Sequence, residues 1–280
     1  TVAEDGTVTA IAAGQTEITA TCGNASGTCK VTVTAAEEPL ADPVAGDWYY
    51  SDGTWSTDLD PEREVIGVVF WTGNPADEDM LLAAEHPECV HGLVVSLSGD
   101  EASPWQAQIS AYGATVWSWV EENTEGFMDG VCHDEYSEDD NLNKKLGYNN
   151  TKAAEAFNAG AGNGLWPVDA VAKAAAYGET VPAPETSSGW YLPSAKELSL
   201  LCSGEYDGNI YDIYGETATA ELVNSRLAML EGSAQLEGYY WSSTESSSYS
   251  YAFEVSFSSG TVGSGSKSGS SDHVRFILAF

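Results

Sequence analysis

Basic residues are scarce in this chain of 280 residues. Lys and Arg together number 10 against 43 Asp and Glu, which gives a formal net charge of -33. Nucleic-acid backbones are bound mainly through Lys and Arg, so this balance argues against a nucleic-acid partner. The acidity instead predicts a well-solvated surface that anionic surfaces repel.

Long apolar runs are missing as well. No stretch of about 18 apolar residues occurs, so we expect no membrane-spanning helix. No secretory leader is visible, and the first residues already follow a strand-like pattern, so we expect a mature or trimmed fragment. The length suits about two domains, each with its own core.

Cysteine is sparse and odd in number. The five residues are Cys22, Cys29, Cys89, Cys132 and Cys202, so at least one thiol has no partner within the chain. Cys22 and Cys29 flank a turn between two Thr/Val-rich runs. They could form a disulfide across a hairpin, which would favour an oxidising compartment, or remain free.

The usual catalytic motifs are absent. The sequence contains no G-x-S-x-G, H-E-x-x-H, P-loop or Rossmann glycine pattern. His86, Cys89 and His91 lie in "HPECVH", and Cys132 and His133 in "CHDE", which together could bind zinc. The spacing fits no standard zinc motif, so we favour surface histidines, with a Cys89–Cys132 disulfide as an option.

The segment 132–143 is the densest acidic stretch. It could offer calcium the oxygens of Asp134, Glu138, Asp139, Asp140 and Asn141. The spacing and turn glycine of an EF-hand are missing, so a solvated loop is favoured and no cofactor is predicted.

Exposed aromatic rings could form a sugar-binding platform, but Trp190 and Trp241 lie in strand patterns and are assigned to the core.

The pattern changes along the chain divide it into three parts. Residues 1–35 alternate short β-rich runs with Gly turns, which is typical of all-β domains. Residues 36–46 are acidic and contain Pro, which predicts a linker. Residues 47–280 mix strand and helix patterns, with early strands predicted at 65–73 and 91–99.

Four helices are predicted in the middle of this larger domain. One opens at Asn150 and stops at Gly160, and a second stops at Gly178. The third has a capping box of Ser194 and Glu197. It ends at Gly204, and "ELVNSRLAMLEG" forms the fourth.

Strands return at "YYWSST", "YAFEVSF" and "HVRFILAF". In the last of these, Val274, Phe276, Leu278 and Phe280 share one face because side chains alternate along a strand. The predicted fold class is α+β, with two core helices and a terminal antiparallel β-meander.

Residues 1–35 resemble a known family. Their spacing "G-x-V-T-A-x-x-x-G-x-x-x-I-T-A" and the ending "C-K-V-T-V" are similar to the last strands of bacterial Ig-like domains of the intimin and invasin type. The resemblance implies the C-terminal part of such a domain, acting as a spacer on a bacterial surface.

A second resemblance covers most of residues 46–280. "GWYLPSAKELSLL", "YYWSSTE" and "VRFILAF", in this order, resemble the C-type-lectin-fold variable proteins of diversity-generating retroelements. "GDWYYSDGTWS" and "IGVVFWTG" are similar to the front half of related adhesin domains. Related domains occur in bacterial surface adhesins, pilus tips and phage receptor-binding proteins, so the resemblance implies a C-type-lectin-like ligand-binding domain at 47–280.

The resemblance also implies a variable region at about 240–280, diversified at template adenines. Asn codons of the AAC type then give Ser, Gly, Asp, Tyr, Thr or His, but not Lys or Glu. Ala252, Phe253, Val255, Phe257, Gly260, Val262 and Lys267 would be the fixed frame, and Glu254 departs from the rule. The implied ligand-binding residues are Ser246, Ser247, Ser248, Tyr249, Ser250, Tyr251, Ser256, Ser258, Ser259, Thr261, Ser264, Ser266, Ser268, Ser270, Ser271, Asp272 and His273.

These expectations define a non-enzymatic recognition module, exposed on a bacterial cell or a phage particle. Its partner would be a protein or glycan on a target surface. The calcium-dependent sugar motifs "E-P-N" and "W-N-D" of animal lectins are absent, so the resemblance does not imply sugar binding through calcium. The alternative is a structural surface or pilus subunit without a specific ligand. A remote alternative is an oxidase like the formylglycine-generating enzymes, in which Cys132 and Cys202 would be the reactive pair.

Overall fold

The structure, a computed structural model, describes residues 6–8, 14–33, 41–99, 102–204, 208–269 and 271–280. The chain divides into two compact units, Thr1–Ala41 and Asp42–Phe280. The division falls inside the segment 36–46 that the composition marks as a linker.

The first unit contains an antiparallel hairpin. Its two strands are β1, Gly14–Cys22, and β2, Ala25–Val33. Cys22 lies opposite Ala25, whereas Cys29 lies opposite Ile18. The two cysteines are therefore four residues apart along the ladder, about 13 Å. A disulfide needs Cα atoms within about 7 Å, so this hairpin does not allow a Cys22–Cys29 disulfide. Both cysteines are free and exposed.

The second unit mixes strands and helices, as the sequence predicts. Its strands are β3 Trp48–Tyr50, β4 Trp55–Ser56, β5 Val65–Thr72, β6 Gly92–Ser96, β7 Val131–Cys132, β8 Tyr239–Ser246, β9 Tyr251–Ser256, β10 Thr261–Ser266 and β11 Ile277–Ala279. Its α-helices are α1 Met80–Glu85, α2 Ile109–Tyr112, α3 Val116–Asn123, α4 Gly147–Ala159, α5 Asp169–Thr180, α6 Ala195–Ser203 and α7 Ala218–Leu227. The fold class is therefore α+β.

Two sheets organise this unit. One has the strand order β11-β6-β5-β3-β4, and the other has the order β10-β9-β8-β7. Strands β8, β9 and β10 form an antiparallel meander, but β11 leaves it and pairs with β6. Ile277 also forms a bridge with Tyr191, so the last strand is hydrogen-bonded on both sides. The expectation that "HVRFILAF" completes the terminal meander is therefore wrong.

The predicted helix boundaries have mixed outcomes. The capping box of Ser194 and Glu197 and the end of α6 at Gly204 are confirmed. Helix α4 begins before Asn150, whose backbone N–H donates to Leu146, so Asn150 is not its cap. Helix α5 continues past Gly178 to Thr180, because one glycine inside a helix weakens it without ending it.

Two hydrophobic cores lie on opposite faces of the meander. Phe253 and Val255 belong to one core, whereas Ala252 and Trp241 belong to the other. Burial on both faces explains why β9 has apolar residues in both registers. The assignments of Trp190 and Trp241 to the core are confirmed. None of the helices within the described ranges is long and apolar enough to cross a bilayer.

Candidate functional site on the C-terminal hairpins

The Ser/Gly-rich tail has a backbone that neighbouring segments hold in place. After β10, the N–H of Lys267 donates to the Ser250 carbonyl at 2.9 Å, and its carbonyl accepts from Gln106 at 3.0 Å. Further on, the Asp272 carbonyl accepts from the Ser103 N–H at 2.9 Å. A flexible linker makes no such bonds, so the composition of this segment does not reflect a linker.

A buried ion pair fixes the centre of this segment. The Lys267 ammonium is fully buried and forms an ion pair with Glu245. It also lies 4.5 Å from the centre of the Trp105 ring. The Glu245 carboxylate accepts the backbone N–H groups of Val116 and Trp117, at 2.8 and 3.1 Å, at the start of α3. Lys267 therefore ties the tail to a helix N-terminus, where a carboxylate is favourable.

Burial separates the predicted frame from the predicted binding residues. The positions expected to be fixed are all buried, namely Ala252, Phe253, Val255, Phe257, Gly260, Val262 and Lys267. The exposed predicted binding residues are Ser247, Ser248, Tyr249, Tyr251, Ser258, Ser259, Ser264, Ser266, Ser268 and Ser271. Half-buried ones are Ser246, Ser250, Thr261 and His273. We call these exposed and half-buried residues the serine-rich face.

Two of the predicted binding residues are buried and do not lie on the outward surface that the sequence predicts. Ser256 is 1% exposed, and its hydroxyl accepts from Ser259 at 2.8 Å in the turn after β9. Asp272 is 6% exposed and accepts from the Ser271 hydroxyl at 3.2 Å. Ser270 lies outside the described residues.

A cleft of about 410 Å³ opens between the serine-rich face and the meander. Tyr239, Glu254, Gly265 and Asp272 are among its lining residues. Burial, followed by the hydrogen bond and charge of Asp272, raises the pKa of Glu254 to about 8. Glu254 therefore keeps its proton at neutral pH and can share it with Asp272. Gly265 is restricted, because a Cβ there would lie 2.2 Å from a Glu254 oxygen and 2.7 Å from the Trp241 ring.

The predicted zinc residues are only partly brought together. Ligand atoms of His86, Glu88 and Cys89 lie within 4.8 Å of one another, the one such group within the described ranges. The Cys89 thiol donates to the Ala279 carbonyl at 3.3 Å, and burial raises its pKa to about 12. Burial and this hydrogen bond give Cys89 the surroundings of a structural thiol.

The other predicted ligands are used elsewhere. His91 packs at 5.4 Å from the Trp55 ring, and His133 Nε2 lies 2.7 Å from an Asp129 oxygen. In the acidic loop, the Asp140 carboxylate accepts the backbone N–H groups of His133, Asp134 and Leu142. These bonds shape the loop from within, as Asx turns do.

The thiols suggested for oxidase chemistry are both buried. Burial raises the pKa of Cys202 to about 12 and also raises that of Cys132. A reactive cysteine needs a lowered pKa and access to substrate. The two thiols thus have the surroundings of structural cysteines.

Sequence reasoning missed Tyr239 and Glu254 as cleft residues. Tyr239 lies in a strand pattern, and Glu254 only appears as an exception to the substitution rule. One sequence signal could have identified Glu254 as a cleft residue: it shares the less apolar face of β9 with Ala252. This face of β9 lines a cleft only because Asp272, which lies outside the strand, packs beside it.

Comparisons with known proteins find similarity to two fimbrial proteins of Bacteroides ovatus. The chain is 27% identical over 263 residues to a protein named "Putative fimbrium tip subunit Fim1C", covering 84% of this chain and 45% of that protein. A crystal structure of a fimbrial protein from the same species superposes with a TM-score of 0.66 at 22% identity, over 91% of this chain and 55% of that one. The chain thus spans about half the length of these relatives. No protein-family model matches it.

Proposed function

We propose that the chain is part of a fimbrial subunit displayed on a bacterial cell surface. The similarity to a fimbrium tip subunit supports this, as does the shared fold of a second fimbrial protein. The acidic, well-solvated surface suits an exposed location. The comparisons favour a bacterial cell over the phage particle considered from the sequence.

A structural role is the first candidate within a fimbria. The names of both relatives describe a place in a fimbria and mention no ligand. Under this proposal the partners are other fimbrial subunits, and the serine-rich face is simply a tolerant surface. Surface substitutions away from caps and cores usually change stability by about 0.5 kcal/mol or less.

Recognition through the serine-rich face is the second candidate, and the geometry favours it. The carrying observation is the separation of exposed Ser and Tyr side chains from a buried, ion-paired frame. Ser gives adaptable hydrogen bonds and Tyr gives rigid amphipathic area, as in antibody loops. Tyr249 and Tyr251 are each 43% exposed and are the largest side chains offered. The ligand would be a protein or glycan on a target surface.

We also propose that this face is diversified, within a C-type-lectin-like domain preceded by an Ig-like segment. The resemblance of the three sequence motifs supports this proposal. The test is genetic: a near-identical, Asn-rich copy of residues 240–280 should lie beside a reverse-transcriptase gene, with mismatches at template adenines. Mismatches spread over all four bases would contradict it.

Binding by the purified full chain separates the two candidates. The wild type and the Tyr249→Ala/Tyr251→Ala variant would be applied to a glycan array and to fixed epithelial cells. Met229→Ala is the matched control, because Met229 is 58% exposed and lies at the end of α7. Recognition predicts wild-type binding that falls about ten-fold in the double variant, at about 0.7 kcal/mol for each tyrosine, and persists in the control.

Two results would oppose recognition. Equal binding by all three proteins would place the ligand site elsewhere. No binding by the wild type, together with its co-purification with other fimbrial subunits from cells, would leave the structural role.

A further inference from the structure

Three tyrosines form an exposed cluster outside the serine-rich face. Tyr136 and Tyr214 are each 72% exposed. The Tyr136 ring meets the Tyr211 ring edge to face, with centres 5.7 Å apart. Tyr214 follows Tyr211 by three residues, just after the short 3-10 turn Ile210–Asp212 that carries Tyr211. We call Tyr136, Tyr211 and Tyr214 the tyrosine patch; large exposed aromatic groups of this kind mark interaction sites.

The two loops that carry the patch are bound to each other. The Asn209 side chain donates to the Glu135 carbonyl at 2.6 Å. The Asn143 side chain accepts the Ile210 N–H at 2.8 Å and donates to the Ser137 carbonyl at 3.1 Å. The two loops are thus held together before any partner arrives, which reduces the entropy cost of binding.

The patch is surrounded by negative charge. Segment 134–140 contains five acidic residues and segment 208–217 contains two, and neither contains Lys or Arg. Glu135 and Asp212 are the chain neighbours of Tyr136 and Tyr211. The hydrogen bond and the charge of Glu135 raise the pKa of Tyr136. The negative charge of these two segments is therefore not balanced by any Lys or Arg within them.

We infer that the tyrosine patch docks an Arg- or Lys-rich segment of another protein. Aromatic faces attract cations, and guanidinium groups pair well with carboxylates. The patch offers both features side by side. A second copy of this chain is a poor occupant, because its 10 basic residues stand against 43 acidic ones.

The patch borders the serine-rich face but uses different residues. The Gly215 N–H donates to the Ser259 carbonyl at 2.8 Å. Tyr211 packs against Phe253, with ring centres 6.4 Å apart. The inference depends on neither the fimbrial role nor ligand binding by the serine-rich face.

The test is binding of a fluorescein-labelled peptide of alternating Arg and Gly, measured by anisotropy at 150 mM salt with the full chain. Tyr136→Ala and Tyr214→Ala leave the net charge unchanged, so general attraction of the peptide to an acidic protein stays constant. Both side chains are exposed, so the variants should fold, and their thermal unfolding is checked. Met229→Ala is the matched control, because Met229 is 58% exposed and belongs neither to the tyrosine patch nor to the serine-rich face. Tyr249→Ala shows whether the peptide binds to the serine-rich face instead.

We expect each patch variant to weaken peptide binding about three-fold and the double variant about ten-fold. Met229→Ala should bind like the wild type, and a peptide of alternating Glu and Gly should not bind. Equal affinity of the double variant and the wild type would overturn the inference. An equal loss in Tyr249→Ala would also overturn it, because the peptide would then lie on the serine-rich face.

Discussion

Replacing Lys267 by Met is expected to destabilise the larger unit by about 3 kcal/mol. The change removes the ammonium group but keeps an unbranched side chain that fills much of the same space. It leaves the buried Glu245 carboxylate without its cation. Breaking one side of a buried ion pair typically costs about 3–5 kcal/mol.

For Lys267→Met we expect a loss of unfolding free energy at the low end of this range, because Glu245 has other hydrogen-bond donors. The Glu245 carboxylate keeps two backbone N–H donors, from Val116 and Trp117. These bonds, at the N-terminus of α3, still stabilise part of the negative charge. Burial already lowers the pKa of Lys267 against the opposing effect of Glu245, which shows that the ammonium has been desolvated. The contact with the Trp105 ring is lost as well.

Urea unfolding of the full chain measures this cost. Lys152→Met is the matched control, because Lys152 is partly exposed and pairs with Glu155 across one helical turn. The Lys152–Glu155 pair should contribute less than about 0.5 kcal/mol to the free energy of unfolding. The double variant Lys267→Met/Glu245→Gln should recover part of the loss, since no unpaired buried charge remains. A loss below about 1 kcal/mol for Lys267→Met, equal to that of the control, would refute the reasoning.

Three further predictions concern the same region and the thiols. Gly265→Ser should cost about 1–3 kcal/mol in urea unfolding, because its Cβ would lie 2.7 Å from the buried Trp241 ring as well as against Glu254. Gly263→Ser has only ordinary contacts and should cost less than about 0.5 kcal/mol. Equal costs would contradict this. The pKa of Glu254 rises from 4.5 to about 8 on folding. The folded state therefore holds a proton that the unfolded state lacks, and the unfolding free energy should fall by about 1–2 kcal/mol from pH 5 to 8. Glu254→Gln should remove its own share of this slope and leave the share of the buried Glu197, whose pKa burial raises to about 7. An unchanged slope would contradict the assignment. Thiol titration of the native chain should show Cys22 and Cys29 reacting fast and the three buried thiols only after unfolding; two missing thiols would indicate a disulfide.

Local sequence patterns were sufficient to predict several structural elements. The capping box at Ser194 and Glu197 was readable because its partners lie three residues apart. The grouping of Val274, Phe276, Leu278 and Phe280 in one core follows from strand alternation. The resemblance to variable proteins implied a frame in the tail, with Lys267 among the fixed positions and substitutable ones between them.

Long-range pairing was beyond the sequence. The separation of Cys22 and Cys29 depends on hairpin register, which a short turn sequence did not fix. The transfer of β11 to the other sheet depends on β6, which lies far away in the chain. The burial of Ser256 and Asp272 depends on which segments pack against them.

The sequence by itself determined the acidity, the α+β class, the interior helix α6 and the alternation of apolar and small residues in the tail. Each of these depends on composition or on neighbours within one turn or one strand. Only the tertiary structure decided that Lys267 meets Glu245, that Asp272 meets Glu254, and that Tyr136 meets Tyr211. These contacts join residues from separate elements, and their energies depend on burial and distance, which exist only once the chain has folded.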